Sequence, residues 1–361
     1  MSKSQSWSDT DISLPKADLA VVIGRFQPFH NGHLSILKTA AEISDNVLVI
    51  VGSSFIARNI KNPFTFDERE SMILAAAEEA GIKGVHCAPV VDDLYNDQQW
   101  IVAVQNEIDN ALADFLDPSI ARVVIVGHHK DDSSYYLDIF PKYTTYEVPL
   151  TQVLDSTTIR DIYFGKGMIP KDVMPKAIES FMKDFSVDAH SKPTITWLNL
   201  CEEYNFLKSY QAQWSHSPFP PIFSTTDAVV INNGYILLVK RRMSPGKGLW
   251  ALPGGFVGIK ERLQDSMLRE LEEETRIKVS REHLRNHIRG EHTFDSPNRS
   301  ERGRTITQAY LIVLHETKLP KVRGGDDAER AKWFPISEFY QMSDKMYEDH
   351  YSIATYMINR A

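Results

Sequence analysis

The sequence predicts two α/β units in tandem: a doubly wound parallel sheet, then an α+β domain with mixed strands. Three observations carry that expectation. At 361 residues the chain exceeds one typical core and suits two domains. In its first half, short β-branched apolar runs alternate with helical stretches, as in parallel strands covered on both faces. After a Pro- and Ser-rich stretch at 186–221 the pattern changes to alternating strands with a hairpin signal.

Residues 1–18 are polar, lack the apolar stretch of a signal peptide and read as a flexible tail. Leu19–Ile23, Val47–Val51 and Val123–Val126 are expected strands. Between them, His33–Ile43 places Leu34, Leu37 and Ala41 on one helical face, and Asp67–Ala80 is a Glu- and Ala-rich helix. The first unit is expected over 19–190. A connector over 191–222 carries a short helical stretch, Cys201–Gln213. The second unit, 223–361, opens with Asp227–Ile231 and Tyr235–Val239 around Asn233-Gly234, a hairpin turn pair. Thr305–Leu314 alternates as a strand, and a final helix lies near Tyr351–Arg360.

Composition narrows the function. A net charge of −8 counts against a non-specific nucleic-acid binder. Cys87 and Cys201 form no CxxC pair and show no metal-ligand spacing, which fits a reducing cytoplasm. The longest apolar runs are strand-length, too short for a bilayer, so no membrane partner is expected. A homo-oligomer is left open.

Two strings carry chemistry. GRFQPFHNGH, Gly24 to His33, follows the first strand and ends where a helix opens, a ready anion site. Gly24 lets backbone approach a phosphate, and Arg25 adds a fixed cation. His30 and His33, three apart, can point at the same phosphates, with Gly32 removing bulk between them. Two histidines alone would read as a surface helix cap; the full string after a strand reads as a site. Further on, Ser156, Thr157 and Thr158 offer hydroxyls at a helix start, and Arg160 offers a planar fork for phosphate oxygens. The second string runs from Gly255 through Glu261 to Arg269-Glu270-Leu271-Glu272-Glu273-Glu274. Positions i, i+3 and i+4 share a helix face, so Glu270, Glu273 and Glu274 converge while Glu272 points away. Massed carboxylates repel unless a divalent cation neutralises them, and oxygen donors suit Mg2+ or Mn2+. Arg269 can brace a carboxylate from the side.

GRFQPFHNGH resembles the HxGH signature of nucleotidyltransferases, in the form found in archaeal-type nicotinamide mononucleotide adenylyltransferases. Other segments agree in order. NPFTFDER, Asn62 to Arg69, matches a family segment whose arginine binds phosphate, here Arg69. VGHHKDDSSYY, Val126 to Tyr136, resembles the nucleotide loop, and LDSTTIR, Leu154 to Arg160, the closing motif, with Asp155 where the family often has Ser. The resemblance implies nucleotide contacts from Gly24, Arg25, Phe26, Gln27, Arg69, Gly127, Lys130, Asp131, Thr157 and Arg160. It implies a nicotinamide-stacking role for Trp100 and catalytic roles for His30, His33 and Arg160. Asp92 and Asp93 lie either at the same pocket or in solvent. The second string resembles the Nudix box and implies an α/β/α sandwich, with Glu270, Glu273 and Glu274 on metal and Arg269 and Glu273 catalytic. The box has Gly where this chain has Arg276, so a different loop geometry is expected. Arg299, Arg302 and Arg304 lie in a stretch resembling the loop of Nudix domains that act on ADP-ribose; they clamp a diphosphate or are solvated. Asp326, Asp327 and Glu329 are unranked candidates for a base or further ligand.

Together the segments resemble bacterial fusions of nicotinamide mononucleotide adenylyltransferase with a Nudix ADP-ribose pyrophosphatase. That implies ATP, nicotinamide mononucleotide and ADP-ribose as partners. Two alternatives stay open from the residues: a first half that accepts another phosphate, such as phosphopantetheine or flavin mononucleotide, and a second half that senses a ligand or acts on another nucleoside diphosphate derivative.

Overall fold

A computed structural model describes residues 16–113, 119–128, 137, 139–149 and 155–361. The tail expected at the N-terminus therefore lies almost wholly outside the described residues. The first sheet is parallel, in the order β3-β2-β1-β4-β5. Its strands are β1 (Leu19–Gly24), β2 (Val47–Val51), β3 (Val85–Pro89), β4 (Val123–Gly127) and β5 (Thr144–Glu147). Helices α1 (Asn31–Ile43), α2 (Phe66–Glu79) and α3 (Asp97–Ala113) connect the early strands, and α4 (Ser156–Lys166) and α5 (Lys176–Ser186) follow.

Strand pleating divides the apolar runs between two cores. Ala20, Val22, Val47, Val49, Val124 and Val126 pack on the α1–α2 side, with Leu37, Met72 and Ile73. Leu19, Val21, Leu48, Ile50, Val123 and Ile125 pack on the α3 side, with Val104, Ile108 and Leu112. From β1 the chain moves outward through β2 and β3, then returns to β4 on β1's other edge. The carboxyl ends of β1 and β4 therefore flank a topological switch point, where open α/β sheets bind ligands.

A helix longer than expected, α6 (Ile195–Ala212), fills the connector. Thr194 caps it by accepting from Trp197 N–H at 3.2 Å. Its Leu200 and Tyr204 join the first core, so much of this stretch is packed structure.

The second sheet runs β10-β11-β6-β7-β12. It comprises β6 (Phe223–Asn232), β7 (Tyr235–Arg241), β10 (Ile288–Phe294), β11 (Thr305–Leu314) and β12 (Ala328–Pro335); short β8 (Trp250–Ala251) pairs with β7, and β9 (Gly254–Phe256) with β6. The β6–β11 pair is parallel and in register along both strands, and the other pairs are antiparallel. The β6–β7 hairpin turns through Asn233 and Gly234, both at positive φ (46° and 83°). Helices α7 (Leu263–Thr275) and α8 (Arg281–Asn286) cover one face through Met267, Leu268, Leu271 and Leu284. The short α9 (Ile336–Phe339) and α10 (His350–Ile358) cover the other, giving the expected sandwich.

The two units touch. Gln211 Nε2 donates to the Glu301 carbonyl at 2.8 Å, and the Gly246 N–H donates to Glu203 Oε2 at 3.0 Å. The Tyr95 hydroxyl donates to the Asp349 carboxylate. No helix among the described residues is long and apolar enough to cross a membrane.

Gly84 starts the turn into β3 at φ +68°, and a Cβ there would sit 2.0 Å from the Asp45 carbonyl oxygen. Gly84→Ala is expected to destabilise the first unit by about 2 kcal/mol or more, seen as a lower urea midpoint for the full chain.

Candidate active sites

The first site begins where β1 ends. Phe26 takes a positive φ of 53°, which turns its ring back beneath Gly24. A Cβ on Gly24 would lie 2.9 Å from that ring, so the glycine makes room for Phe26. Phe26 and Gln27 are buried, at 2% and 1% exposure. The Gln27 amide bonds the Phe64 backbone twice, donating to its carbonyl at 2.8 Å and accepting from its N–H at 3.0 Å. These two side chains shape from below the loop that was expected to meet the nucleotide.

His30 is the N-cap of α1, and with His33 it builds a capping box from imidazoles. His30 Nδ1 accepts from Gly32 N–H at 3.1 Å, and His33 Nδ1 accepts from His30 N–H at 3.3 Å. Each neutral ring therefore carries its proton on Nε2, the atom able to donate to a phosphate. The rings stack with centroids 3.8 Å apart. Gly32 is required here, because a Cβ would meet the His30 ring at 2.9 Å.

Arg69 has a different task from the direct phosphate contact that the resemblance implied. Its Nε donates to the Thr65 carbonyl at 3.1 Å. Nη1 donates to the carbonyls of Arg25 (2.8 Å) and Gly52 (2.6 Å), and Nη2 to the Ser53 carbonyl (3.2 Å) and Ser54 Oγ (3.3 Å). All five donors of the guanidinium are thereby used. Burial lowers its pKa to about 10, so it stays cationic at neutrality. Asp92 completes the strut: its carboxylate accepts from Ser53 N–H at 3.0 Å and from the Ser53 hydroxyl.

The start of α4 docks against the same loop. Arg160 Nη1 donates to the Gln27 carbonyl at 2.7 Å, Nη2 to Thr157 Oγ1 at 3.2 Å, and Ser156 Oγ to the Pro28 carbonyl at 3.2 Å. Burial, helped by nearby Arg25, lowers the Arg160 pKa to about 10. Asp155 is the N-cap of α4 and accepts from Thr158 N–H at 2.8 Å, the task a serine would perform there. Arg25 itself is exposed at the loop's rim. Lys61, which sequence reasoning passed over, joins this cationic group; burial lowers its ammonium pKa, Glu301 of the second unit raises it, and Arg25 and Arg160 lower it further. A lone lysine in a loop gave no signal of that.

Trp100 lies half-buried in the first turn of α3, its ring 6.0 Å from Phe140. Gly127 ends β4, where a Cβ would meet Leu137 at 2.6 Å. Lys130 and Asp131 lie outside the described residues.

In the second site, α7 presents the acidic face and Arg269 organises it. Its guanidinium bonds Glu261 bidentately (2.7 and 2.8 Å), Glu270 at 2.8 Å and Glu273 at 2.9 Å. The bonds from Arg269 lower the Glu261 pKa to about 2. Glu274 is buried, accepts from Gly254 N–H at 3.0 Å, and is raised to about 8 by desolvation, with Glu270 and Asp227 adding to the rise. Burial also raises Glu270, against Arg269, with Glu273 and Asp326 adding to the rise. Of the three late acidic candidates, Asp326 adds to the rise at Glu270, and Glu329 faces Lys240 at 3.8 Å.

The donor set fits a hard divalent cation, being all carboxylate oxygen. A Cβ on Gly255 would lie 2.6 Å from the Glu270 carboxylate, so this glycine leaves the cradle open. Among the described residues no three such side chains are already gathered into a metal cluster, and Arg269 stands among Glu261, Glu270 and Glu273.

Two expectations need correction. Arg276 caps α7 in the left-handed region (φ 46°, ψ 34°), so the helix ends with the geometry glycine would give. Arg299 is no ligand clamp: it is 5% exposed and bonds Asp349 bidentately at 2.8 and 2.9 Å. Arg302 lies over the Phe256 ring at 5.0 Å, and Arg304 donates to the Asp295 carbonyl.

The fold and sites define a nucleotidyltransferase joined to a Nudix-type domain. Residues 21–149 match the cytidylyltransferase-like family and 222–357 the NUDIX domain. The nicotinamide/nicotinic acid mononucleotide adenylyltransferase of Acinetobacter baylyi is 39% identical over 171 residues, 47% of this chain and 87% of that protein. The ADP-ribose pyrophosphatase of Methanocaldococcus jannaschii is 30% identical over 127 residues, 34% of this chain and 70% of that protein. A crystal structure from Francisella tularensis, a bifunctional NMN adenylyltransferase/ADP ribose pyrophosphatase complexed with AMP and a manganese ion, superposes with a TM-score of 0.87. It shares 37% identity and covers 95% of this chain and 99% of its own. The chain belongs to this family of bifunctional NMN adenylyltransferase/ADP-ribose pyrophosphatases.

Arg69→Lys leaves three donors for five acceptors. Amide exchange at 25–30 and 52–54 is expected to quicken at least tenfold by mass spectrometry, while α7 keeps its protection. Arg276→Gly is expected to stabilise the second unit by about 0.5–1 kcal/mol, because glycine adopts the left-handed cap without strain; calorimetry of the full chain reads the shift.

Proposed function

We infer that this chain makes NAD from ATP and nicotinamide mononucleotide at its first site and hydrolyses ADP-ribose to AMP and ribose 5-phosphate at its second. The likeness to a bifunctional relative along nearly the whole chain carries this reading. We assign transfer to residues 19–190 and hydrolysis to 223–361.

At the first site the mononucleotide phosphate attacks the α-phosphorus of ATP, a new P–O bond forms, and the α–β bridge breaks to release pyrophosphate. No covalent enzyme intermediate is needed. The α1 N-terminus, His30 and His33 through Nε2–H, Arg25 and Arg160 neutralise the charge on the triphosphate. Arg69 and Asp92 hold the loops that aim these groups. Alignment of this kind supplies roughly 7–11 kcal/mol of barrier reduction. Trp100 stacks on the nicotinamide ring, and Gly127 leaves room for nucleotide at the end of β4.

At the second site Glu270, Glu273 and Glu274 would hold Mg2+, or Mn2+ in its place, and the metal would supply Lewis-acid polarisation of the diphosphate. Water attacks one phosphorus of ADP-ribose, and the anhydride P–O bond breaks to leave two monophosphates. Arg269 braces the carboxylates against one another, and Glu273, the more exposed of its partners on α7 at 46%, receives the water's proton. A sensor role without hydrolysis is disfavoured, since the box carboxylates are intact and the bifunctional relative is named a pyrophosphatase. A cytoplasmic setting is supported by two free cysteines, Cys87 and Cys201, whose thiols burial raises to about 12 and 11.

The test is chromatography of full-length protein with ADP-ribose and Mg2+, and separately with ATP and mononucleotide. Glu273→Gln is expected to lower AMP release at least a hundredfold with NAD formation unchanged, and His30→Ala to do the reverse. ADP-ribose left intact by wild-type protein would refute the hydrolase reading.

A further inference from the structure

We propose that Asp349, in the hydrolase half, is a positioning residue for the adenylyl-transfer site and acts through Tyr95. Tyr95 lies in the segment between β3 and α3. Its hydroxyl donates to Asp349 Oδ2, and its ring meets Phe294 edge-on with centroids 4.8 Å apart. Phe294 is fully buried in the second unit's core. Asp349 is equally fixed: Arg299 holds its carboxylate bidentately, the two side chains being 3% and 0% exposed, and its carbonyl accepts from Ile353 N–H at 3.0 Å in the first turn of α10. The tyrosine thus rests on a rigid part of the other unit.

On the transferase side the same segment carries site elements at both ends. Upstream, Val90 accepts from Ser54 N–H at 3.1 Å, and Asp92 holds Ser53, whose carbonyl is an Arg69 acceptor. At the tyrosine itself Asp93 Oδ1 accepts from Tyr95 N–H at 3.1 Å, and downstream the Asn96 carbonyl accepts from Gln99 N–H at 3.0 Å as α3 starts with Trp100 in its first turn. One anchor in the hydrolase therefore sets both the Asp92 strut and the approach of Trp100. A phenol-to-carboxylate bond is charge-assisted and stronger than a neutral one. The proposal rests on reading the first site as the mononucleotide site.

Tyr95→Phe removes the hydroxyl and keeps the ring on Phe294. In the full chain the KM for nicotinamide mononucleotide is expected to rise about three- to tenfold, with kcat for NAD formation within twofold and ADP-ribose hydrolysis unchanged. Amide exchange over 91–100 is expected to quicken while α10 keeps its protection. Unchanged transfer kinetics would overturn the proposal. So would an equal fall in both activities, which would mark the bond as support for the whole interface. Failure of the wild-type chain to form NAD at all would instead refute the first-site reading, and the proposal with it.

Discussion

At the carboxyl edge of the parallel sheet, the Arg69 guanidinium meets five acceptors from three stretches of chain: Arg25, the Gly52–Ser54 turn, and Thr65 at the head of its own helix. An unpaired cation buried there would cost several kcal/mol. The side chain can therefore be buried only if the β1 and β2 loops are already shaped to receive it. Conversely, their carbonyls, pointing inward with no strand to pair with, need those donors. This mutual dependence fixes the loop that places His30 and His33. Phe26 beneath Gly24 and the Gln27–Phe64 bonds belong to the same assembly.

Arg269 shows the opposite use of the same side chain. It lies at the surface of α7 among carboxylates that would otherwise repel, and its fork holds Glu261, Glu270 and Glu273 at hydrogen-bond distance. A structural arginine such as Arg69 has every donor turned into the protein. Arg269 instead turns its donors outward, to Glu261 through both of that residue's oxygens and to Glu270 and Glu273 through one oxygen each. Arg299 is of the buried kind, and its pairing with Asp349 places that charge in the wall between the units.

Spacing made much of this legible in the sequence. Apolar β-branched runs marked β1, β2 and β4 because buried parallel strands need apolar residues on both faces. The i, i+3, i+4 offsets of Glu270, Glu273 and Glu274, and the three-residue step from His30 to His33, are local and survive in one dimension. Tertiary burial does not. Phe26, Gln27 and Arg69 sit inside recognisable motifs, but only the fold reveals that they face the protein. α6 was legible only in part, since it is flanked by Ser and Pro and buries just Leu200, Tyr204 and Leu207. Arg276 misled because a residue was taken to dictate its loop. The backbone bond from Arg276 N–H to the Glu272 carbonyl, at 2.8 Å, closes the cap regardless, and strain of about 1–2 kcal/mol is tolerable.

The junction between the units explains why they are more than neighbours on a string. α6 contributes Leu200 and Tyr204 to the first core, while its Glu203 accepts from Gly246 in the second unit. Burial raises the Glu203 carboxyl, so this contact carries a desolvation cost that the Gly246 bond and Arg241 offset. Polar pairs with such a cost bind weakly if their partners shift, so they favour one relative placement of the units over many. Local opening of the 90–96 segment would have to break the Tyr95–Asp349 bond and lift an aromatic edge from Phe294. This segment of the transferase half is thus held in part by the hydrolase core. The contacts that join the two units are a restraint on the transferase half, and they require no passage of substrate between the sites.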